Sequence, residues 1–317
     1  MLTVCAPAKL NLYLRILGRR PDGFHELETL FERIDLADEL TFEPAPRDIR
    51  LTCDHPDLET GPANLIVRAA SLLKEAARIE RGVLIHLSKR IPVASGMGGG
   101  SSDAAATLLA LNELWRAGLT REQLHALGAQ LGSDVPFFLG PESFAIGRRR
   151  GERCEPITGQ DSFAMLWHVL VVPDARLSTR EIYEGFAEAR RRAATALTPD
   201  GPSISMCLHA LRNGSLGELA RGLFNDLQPE AIRRCPVIQE IHTQLRDSGC
   251  VGVLTSGSGP SVFGLCRDAS HAESIRQRLD TLASARDSRR HGVSGHWFTR
   301  VVSTFNRSSS RTACVAS

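Results

Sequence analysis

The chain has 317 residues, 42% of them hydrophobic, which is enough for a substantial core in one large or two ordinary domains. A formal net charge of +2 gives no reason to expect nucleic-acid binding. The arginine clusters at residues 148–150 and 190–192 have no interleaved aromatic residues, so we interpret them as solvated surface, with an anion patch as the alternative. The eight cysteines show no metal-binding spacing, no signal-peptide pattern begins the chain, and no apolar run approaches membrane-spanning length. We therefore expect a soluble cytoplasmic protein whose thiols are reduced and mostly buried.

The first stretch of the chain, residues 2–15, is strand-like and is interrupted by Pro7. Side chains two residues apart share a face of an extended segment, so Lys9 and Asn11 point the same way. Lys9 is one of only three lysines beside 35 arginines, and a lysine in such a background can supply a compact charge that arginine cannot. From the residues alone, a functional pair and an edge strand with two exposed polar residues are equally good interpretations.

A tight turn is predicted next, where Pro21-Asp-Gly23 precedes Phe24 and His25. An aromatic ring beside a histidine can stack on a planar ligand and hydrogen-bond to it. On the residues alone, the simpler interpretation places Phe24 in the core and His25 at the surface. Two more strands are predicted over residues 28–34 and 39–42.

A predicted helix over residues 64–78 and a predicted buried strand over residues 83–87 lead into a glycine-rich loop, Ile91-Pro-Val-Ala-Ser-Gly-Met-Gly-Gly-Gly-Ser-Ser-Asp103. An Ala/Leu-rich helix is predicted after it, over residues 104–114. Glycines admit positive φ and close ligand approach, and a helix start offers unpaired N–H groups, so this order predicts a phosphate site. A loop with a simple N-cap would leave most of the glycines unexplained. The loop lacks the lysine of a Walker A motif and the third glycine of the dinucleotide fingerprint.

An isolated acid, Asp134, stands out in the next segment. It follows a helix predicted over residues 120–131, which opens with a capping box made by Thr120 and Gln123. It precedes Pro136 and two phenylalanines. On its own, this acid fits a turn or helix-capping residue as well as a functional group.

The polar composition of residues 158–162 predicts a domain boundary. Beyond it a second glycine loop, Thr255-Ser-Gly-Ser-Gly-Pro-Ser261, joins two predicted strands, and the Ser/Arg-rich residues 303–317 are expected to form a disordered tail. The predicted strands of this half cover residues 167–172, 251–254, 262–266 and 297–302, and its predicted helices cover residues 179–196, 203–223, 229–248 and 269–283.

Three separated segments resemble, in this order, the three motifs of the GHMP kinase superfamily: Ala6-Pro-Ala-Lys-Leu-Asn11, residues 92–102, and the second glycine loop. One glycine loop would be a weak signal, whereas three motifs in order over most of the chain are specific. Further stretches narrow the resemblance to the branch that phosphorylates the 2-hydroxyl of a cytidine-diphosphate-linked methylerythritol in non-mevalonate isoprenoid synthesis. They are Ala8-Lys-Leu-Asn-Leu12, Asp22-Gly-Phe-His25, Gly98-Gly-Gly-Ser-Ser-Asp-Ala-Ala105, Leu131-Gly-Ser-Asp-Val-Pro-Phe-Phe138 and Asn225-Asp-Leu-Gln-Pro229, and the resemblance covers roughly residues 3–302.

The resemblance implies an α+β chain of two domains with the GHMP kinase fold. A ribosomal-S5-like domain over residues 1–162 would hold the ATP loop and the catalytic residues, and a ferredoxin-like domain over residues 163–302 would complete the cleft. ATP and Mg²⁺ are the implied cofactors, and the cytidylated polyol is the implied substrate. No nucleic acid or membrane is implied, and the chain would be a monomer or a homodimer. No protein ligand set for Mg²⁺ is legible, and Ser102 is the hydroxyl expected beside the ion.

Carried over by motif position, the resemblance makes Asp134 the catalytic base and Lys9 its partner. A carboxylate within hydrogen-bond reach accepts the proton of the substrate hydroxyl, and a lysine beside it offsets charge on the reacting oxygens. The glycine-rich loop would wrap the ATP phosphates. The implied nucleotide-binding residues are Lys89, Pro92, Val93, Ala94, Ser95, Gly96, Met97, Gly98, Gly99, Gly100, Ser101 and Ser102.

The implied substrate-binding residues are Asn11, Phe24, His25 and Tyr183. Phe24 and Tyr183 would stack on the cytosine, and His25 would select it by hydrogen bonds because stacking tolerates any base. The family often has tyrosine at position 24, so any role of that hydroxyl is lost here.

Two competing interpretations stay open. Another GHMP kinase, such as a mevalonate or homoserine kinase, would have no use for the base-binding pair Phe24 and His25. A non-catalytic nucleotide-binding relative would have no reason to keep both Lys9 and Asp134.

Overall fold

The computed structural model describes residues 1–157, 165–193, 201–287 and 297–305, which form two β-sheets with helices packed against them. The strands are β1 (Leu2–Arg19), β2 (His25–Ala45), β3 (Ile49–Cys53), β4 (Gly82–Ser88), β5 (Phe144–Arg149), β6 (Arg153–Pro156), β7 (Trp167–Pro173), β8 (Phe224–Asn225), β9 (Gly252–Thr255), β10 (Val262–Cys266) and β11 (Trp297–Ser303). The helices are α1 (Leu65–Ala76), α2 (Gly99–Leu114), α3 (Arg121–Leu131), α4 (Val135–Leu139), α5 (Thr179–Ala193), α6 (Ile204–Asn213), α7 (Leu216–Gly222), α8 (Gln228–Arg234), α9 (Val237–Asp247) and α10 (Ala269–Asp287).

A hairpin of two long strands, β1 and β2, is the frame of the first sheet. Its strands lie in the order β3-β4-β2-β1-β8, with β5 paired to β2 and β6 paired to β5. The predicted break at Pro7 is instead an irregularity in one continuous strand, since the pairing register shifts between Pro7 and Lys9. Such irregularities bend a hairpin and re-aim its side chains. The strands predicted over residues 28–34 and 39–42 are likewise parts of the single strand β2.

Helices α1 to α4 cover one face of this sheet and bury the first core with it. The helix predicted over residues 64–78 is largely confirmed as α1, which begins after the capping side chain of Asn64. The predicted capping box between Thr120 and Gln123 is confirmed at the start of α3. Helix α2 begins earlier than predicted, at Gly99, so its first turn belongs to the glycine-rich loop.

The second sheet has four antiparallel strands in the order β11-β7-β10-β9. The helices predicted over residues 203–223 and 229–248 are each two helices. Gly214 ends α6 in a left-handed conformation, with φ 64°, and Pro236 separates α8 from α9 because proline has no N–H for a continuing helix. The short strands β3 and β8 were not predicted.

The last strand reaches the first sheet. β11 ends at Ser303, inside the segment predicted as a tail, and the Phe305 N–H that follows donates to the Arg33 carbonyl of β2 at 2.7 Å. Residues 306–317 and the boundary predicted over residues 158–162 lie outside the described residues. The disordered tail and the domain boundary therefore stay predictions.

The cysteines follow the expectation only in part. Six are free, and Cys207, Cys235 and Cys266 among them are buried. Cys5 is disulfide-bonded, so the expectation of reduced thiols is wrong for this residue, and Cys314 lies outside the described residues. Within the described ranges, no helix is long and apolar enough to cross a membrane. The cytoplasmic location and the oligomeric state stay predictions.

Strand β8 pairs in parallel with β1 at the edge of the first sheet, at the junction with the second glycine loop. The buried amide of Asn225 secures this junction, because its Nδ2 donates to the Thr255 carbonyl at 2.7 Å and to the Gly257 carbonyl at 2.8 Å. Its Oδ1 accepts from the Leu227 N–H at 2.9 Å. One side chain therefore satisfies three backbone groups and fixes the second glycine loop against the first sheet.

Replacing Asn225 with alanine should lower the free energy of unfolding by about 3 kcal/mol, because each buried backbone group left without a partner costs roughly 1–3 kcal/mol. Urea unfolding followed by circular dichroism measures this change. The matched control is Asn213→Ala, at an exposed asparagine whose side chain bonds to the exposed His209, and it should cost less than about 0.5 kcal/mol. Equal losses in the two variants would contradict the role of Asn225.

Candidate active site

A cleft of about 1120 Å³ lies between the glycine-rich loop, the tip of the β1–β2 hairpin and α5. The side chains of Met97 and Ser102 do not line it: Met97 is buried in the core, and the Ser102 hydroxyl donates to the Pro7 carbonyl at 2.7 Å. The remaining predicted site residues do line it, namely Lys9, Asn11, Phe24, His25, Lys89, Pro92, Val93, Ala94, Ser95, Gly96, Gly98, Gly99, Gly100, Ser101, Asp134 and Tyr183. Their assigned roles stay predictions at this point.

Lys9 and Asp134 face each other in this cleft. The Lys9 Nζ lies 3.5 Å from the Asp134 Oδ2, and the side chains are 5% and 30% exposed. The lysine is thus held inside while the carboxylate reaches open space. Asp134 occupies the N-cap position of α4, but its side chain makes no capping hydrogen bond, so the capping interpretation of this acid is wrong.

A buried chain of hydrogen bonds orients the lysine. The Lys9 Nζ donates to the Asn11 Oδ1 at 2.5 Å, and the Asn11 Nδ2 donates to the Thr29 hydroxyl at 2.8 Å. That hydroxyl donates to the Tyr13 carbonyl at 2.6 Å. Because Lys9 and Asn11 are both buried, the interpretation of this segment as an edge strand with two exposed polar residues is wrong.

The glycine-rich loop is fixed against β1 and against the second glycine loop. The Lys9 N–H donates to the Met97 carbonyl at 3.0 Å. Gly96 has φ 78°, and a Cβ at this position would lie 2.7 Å from the Ser256 carbonyl oxygen and 2.8 Å from that of Gly259. Only glycine fits such a left-handed backbone at so close an approach.

The first turn of α2 supplies the groups expected of an anion site. Gly98, with φ 71°, turns the chain into the helix, and a Cβ there would lie about 3.1–3.2 Å from the Phe138 ring and the Lys9 stem. Gly99, Gly100 and Ser101 follow and line the cleft. The N–H groups of a first helical turn lack intrahelical partners and carry the positive end of the helix dipole, so they favour a bound anion.

Lys89 lies close to this turn, but its charge is already neutralised. Its ammonium pairs with Asp38 and lies 3.5 Å from the Asp103 Oδ2, and all three side chains are buried. Burial, more than any neighbouring charge, raises the pKa of Asp103 well above its ordinary value. Lys89 therefore borders the cleft while its ammonium is held by carboxylates.

Aromatic side chains gather at the other end of the cleft. The rings of His25 and Tyr183 have centroids 5.3 Å apart and are tilted by 36°. Phe24 stands at the hairpin tip and is 52% exposed, so the interpretation that places it in the core is wrong. The Arg150 guanidinium lies 4.8 Å from the centroid of the Phe24 ring. This end of the cleft offers exposed ring faces beside an imidazole.

The imidazole of His25 is neutral near physiological pH. Burial, with smaller contributions from Arg19 and Arg190, lowers the pKa of His25 below its ordinary value. Burial also raises the pKa of Tyr183, so its hydroxyl stays protonated. A neutral imidazole carries one hydrogen-bond donor and one acceptor, which suits a base edge.

Several cleft residues lie outside the sequence motifs and escaped prediction. Arg150 belongs to an arginine cluster that was interpreted as solvated surface, yet it occupies the β5–β6 turn beside Gly151, where a Cβ would lie 3.9 Å from the Asp134 Oδ1. Arg191 also lines the cleft from α5. It lies two helical turns beyond Tyr183, so helical spacing from that residue could have identified it.

Comparison with known proteins identifies the family. The family pattern described as GHMP kinases N terminal domain matches residues 64–140, and the pattern described as GHMP kinases C terminal matches residues 207–284. The 4-diphosphocytidyl-2-C-methyl-D-erythritol kinase of Pelotomaculum thermopropionicum is 41% identical over 279 residues, which cover 88% of this chain and 93% of that protein. The chain belongs to this kinase family.

Solved structures agree with that assignment. A crystal structure of 4-(cytidine 5'-diphospho)-2C-methyl-D-erythritol kinase superposes with a TM-score of 0.76 at 36% identity, covering 96% of this chain and 100% of that one. The mevalonate kinase of L. major in complex with R-mevalonate has a TM-score of 0.73 at 16% identity, with 97% of each chain covered. The likeness to mevalonate kinase is one of fold alone. The predicted family and the two-domain GHMP kinase fold are confirmed.

Replacing Gly96 with alanine should weaken ATP binding at least tenfold, because the added Cβ forces the two glycine loops apart. Equilibrium titration with ATP measures the change, and unfolding experiments establish that the variant is folded. Gly100→Ala serves as the comparison, since a Cβ at that helical position meets nothing closer than the Leu65 side chain at 3.5 Å. The Gly100→Ala variant should bind ATP about threefold more weakly at most. Equal losses of ATP affinity in the two variants would contradict the close approach at Gly96.

Proposed function

We propose that this protein transfers the γ-phosphoryl group of ATP to the 2-hydroxyl of 4-diphosphocytidyl-2-C-methyl-D-erythritol, giving the 2-phosphate and ADP in non-mevalonate isoprenoid precursor synthesis. One observation carries the proposal: the Lys9–Asp134 pair lies in the same cleft as a glycine-rich helix start and a cluster of aromatic rings. A kinase that acts on a base-linked alcohol needs a phosphate site, a base site and a proton acceptor within one cleft. Family membership supports the same assignment.

Asp134 is the proton acceptor in this proposal. The substrate hydroxyl gives its proton to the carboxylate, its oxygen attacks the γ-phosphorus, and the bond to the β–γ bridging oxygen breaks to release ADP. A positioned general base typically contributes about 10²–10⁴-fold to such a step. Lys9 keeps a fixed positive charge beside the reacting oxygens, and its bond to Asn11 at 2.5 Å holds that charge in place.

The phosphates of ATP meet backbone N–H groups rather than a free lysine. Lys9 and Lys89 both pair with carboxylates, whereas the first turn of α2 presents its N–H groups at the cleft. In the described part of the chain, no group of three or more His, Cys, Asp or Glu side chains could hold a metal ion. A Mg²⁺ ion would suit this site if ATP supplied most of its ligands. The Ser102 hydroxyl expected beside it bonds instead to the Pro7 carbonyl and does not line the cleft, so the neighbouring Ser101, which does, would supply the hydroxyl. When bound, Mg²⁺ would neutralise charge on the β- and γ-phosphates.

The cytosine is recognised at the aromatic end of the cleft. Phe24 and Tyr183 stack on the base, which gives affinity without selecting one base. His25 selects cytosine through the donor and the acceptor of its neutral ring. Arg150 and Arg191 line the same end and add positive charge, which suits the substrate diphosphate.

The deciding experiment follows ADP release with ATP, Mg²⁺ and 4-diphosphocytidyl-2-C-methyl-D-erythritol, with mevalonate and homoserine in parallel. Turnover with the cytidylated substrate alone is the expected result. Turnover of an uncytidylated alcohol would assign the protein to another GHMP kinase activity. ATP binding without turnover of any of the three would point to a non-catalytic relative.

Replacing Asp134 with asparagine should lower kcat by at least tenfold while ATP still binds, because the amide cannot accept the proton. Steady-state kinetics and ATP titration measure the two effects separately. Asp57→Asn is the control, at an exposed carboxylate that pairs with Arg176 outside the cleft, and its kcat should equal that of the wild type. Near-normal turnover by the Asp134 variant would refute its assignment as the base.

Replacing His25 with alanine should raise the KM for the cytidylated substrate far more than the KM for ATP. In the wild type, the lowered pKa of His25 keeps its ring neutral, so this KM should stay constant at and above the ordinary histidine pKa of about 6.5 and rise only at lower pH. The alanine variant should lose that rise. His86→Ala, at an exposed histidine on β4, should leave both KM values unchanged. Equal changes in both KM values for the His25 variant would exclude a specific role in binding cytosine.

A further inference from the structure

Two carboxylates hold the chain where it leaves β4 and enters the glycine-rich loop. The Lys89 N–H donates to the Asp54 Oδ1 at 2.8 Å. The next two N–H groups, those of Arg90 and Ile91, donate to the Asp38 Oδ1 at 2.6 and 2.8 Å. These groups lie beyond the last paired residue of β4, so Asp38 sets where the loop begins.

The other oxygen of Asp38 connects the same point to helix α2. The Asp38 Oδ2 pairs with the Lys89 ammonium, which lies 3.5 Å from the Asp103 Oδ2 on α2. A Cβ on Gly99 would lie 3.0 Å from the Lys89 Nζ, so the ammonium sits against the first residue of that helix. Asp38 therefore bonds directly to the start of the segment that would surround the phosphates, and it reaches the α2 end of that segment through Lys89.

Fold stability alone does not account for this arrangement. Asp38 is fully buried on β2, and Lys89 is nearly so. A buried ion pair loses about as much free energy by desolvation as it gains by attraction, and apolar replacements are often equally stable. Because Asp38 already neutralises Lys89, the ammonium adds little attraction for phosphate. The Asp38–Lys89 pair therefore serves to fix the positions of the groups around it, rather than to stabilise the fold or to attract phosphate.

We infer that Asp38 is a positioning residue for the nucleotide, which fixes the start of the glycine-rich loop relative to the first turn of α2 through Lys89 and the loop backbone. The inference rests on the proposed function only in treating this loop as the ATP site. When Asp38 is lost, Lys89 shifts toward Asp103, and the two sides of the phosphate site separate. A misplacement of about 1 Å can cost on the order of 10²-fold in the function of a preorganised site.

The test compares Asp38→Asn, Lys89→Gln and the double variant by direct titration with ATP and, separately, with the cytidylated substrate. Asp38→Asn should weaken ATP binding about tenfold and change substrate binding less than about twofold, because the aromatic end of the cleft is untouched. Lys89→Gln should weaken ATP binding to a similar extent. In the Lys89→Gln background, Asp38→Asn should weaken ATP binding by less than about a further twofold, because the ammonium that Asp38 would hold is already absent.

Glu32→Gln is the matched control. Glu32 lies on the same strand and is fully buried, and its carboxylate bonds to His168 at 2.8 Å and to Thr304 at 2.7 Å. This variant should lose stability and keep its affinity for ATP. The inference is overturned if Glu32→Gln weakens ATP binding as much as Asp38→Asn does. It is also overturned if Asp38→Asn leaves the affinity for ATP unchanged, or if it weakens the binding of ATP and of the cytidylated substrate equally.

Two further outcomes are covered by the same design. If the single Asp38 variant does not fold, Lys89→Gln and the double variant decide the matter, and a further tenfold loss of ATP affinity in the double variant contradicts action through Lys89. If the wild type binds ATP but does not turn over the cytidylated substrate, the proposed function fails while the ATP titrations still test Asp38.

Discussion

The candidate site depends on the buried side chain of Lys9. Its ammonium lies against Asp134 and Asn11, its N–H holds the Met97 carbonyl of the glycine-rich loop, and its stem occupies the space beside Gly98. One residue of β1 thus joins the acid, the loop and the start of α2. At Lys9, β1 pairs with β2 on one side and bonds to the Met97 carbonyl of the loop on the other, so the positions of the candidate catalytic groups follow from the sheet and from this loop contact.

Positive charge is distributed unevenly in the cleft. The glycine-rich loop and the aromatic end therefore offer phosphate two different kinds of binding group. Near the glycine-rich loop, Lys9 and Lys89 are each matched by carboxylates, so attraction for an anion there comes from oriented N–H groups. At the aromatic end, Arg191 forms no ion pair with any residue that the structure describes. The Arg150 guanidinium lies over the ring of Phe24, and its Nε is 3.8 Å from the Glu152 Oε1. Backbone dipoles suit a loop that wraps its ligand, whereas flexible arginines suit a substrate whose phosphates lie between two recognised groups.

The sequence predicted the parts of the site whose chemistry requires unusual residues. A loop that approaches another backbone needs glycines, and a resemblance carried by motifs identified Lys9 and Asp134. The sequence could not identify Asp38, because the role of an acidic residue in the middle of a strand depends on contacts with residues that are distant in the sequence. Asp35 and Asp38 fall in the gap between the strands predicted over residues 28–34 and 39–42. In the structure they lie inside one continuous strand, where Asp35 bonds to Ser303 and Asp38 bonds to the loop backbone. The helix break at Gly214, by contrast, carries a recognisable C-terminal glycine that local reasoning could have used.

Strand β8 has only two residues, belongs to the second half of the chain by sequence, and belongs to the first sheet by hydrogen bonding. The chain returns to that sheet again at Phe305. A fragment ending near residue 162 would carry Lys9, the glycine-rich loop and Asp134, but Tyr13 and Leu14 of β1 would lose their strand partner. An unpaired strand edge of this kind can pair with other chains and aggregate. The two halves are therefore not interchangeable modules. A chimera that takes its second half from a relative must match that relative's junction at residues 224–229 to the β1 strand it joins.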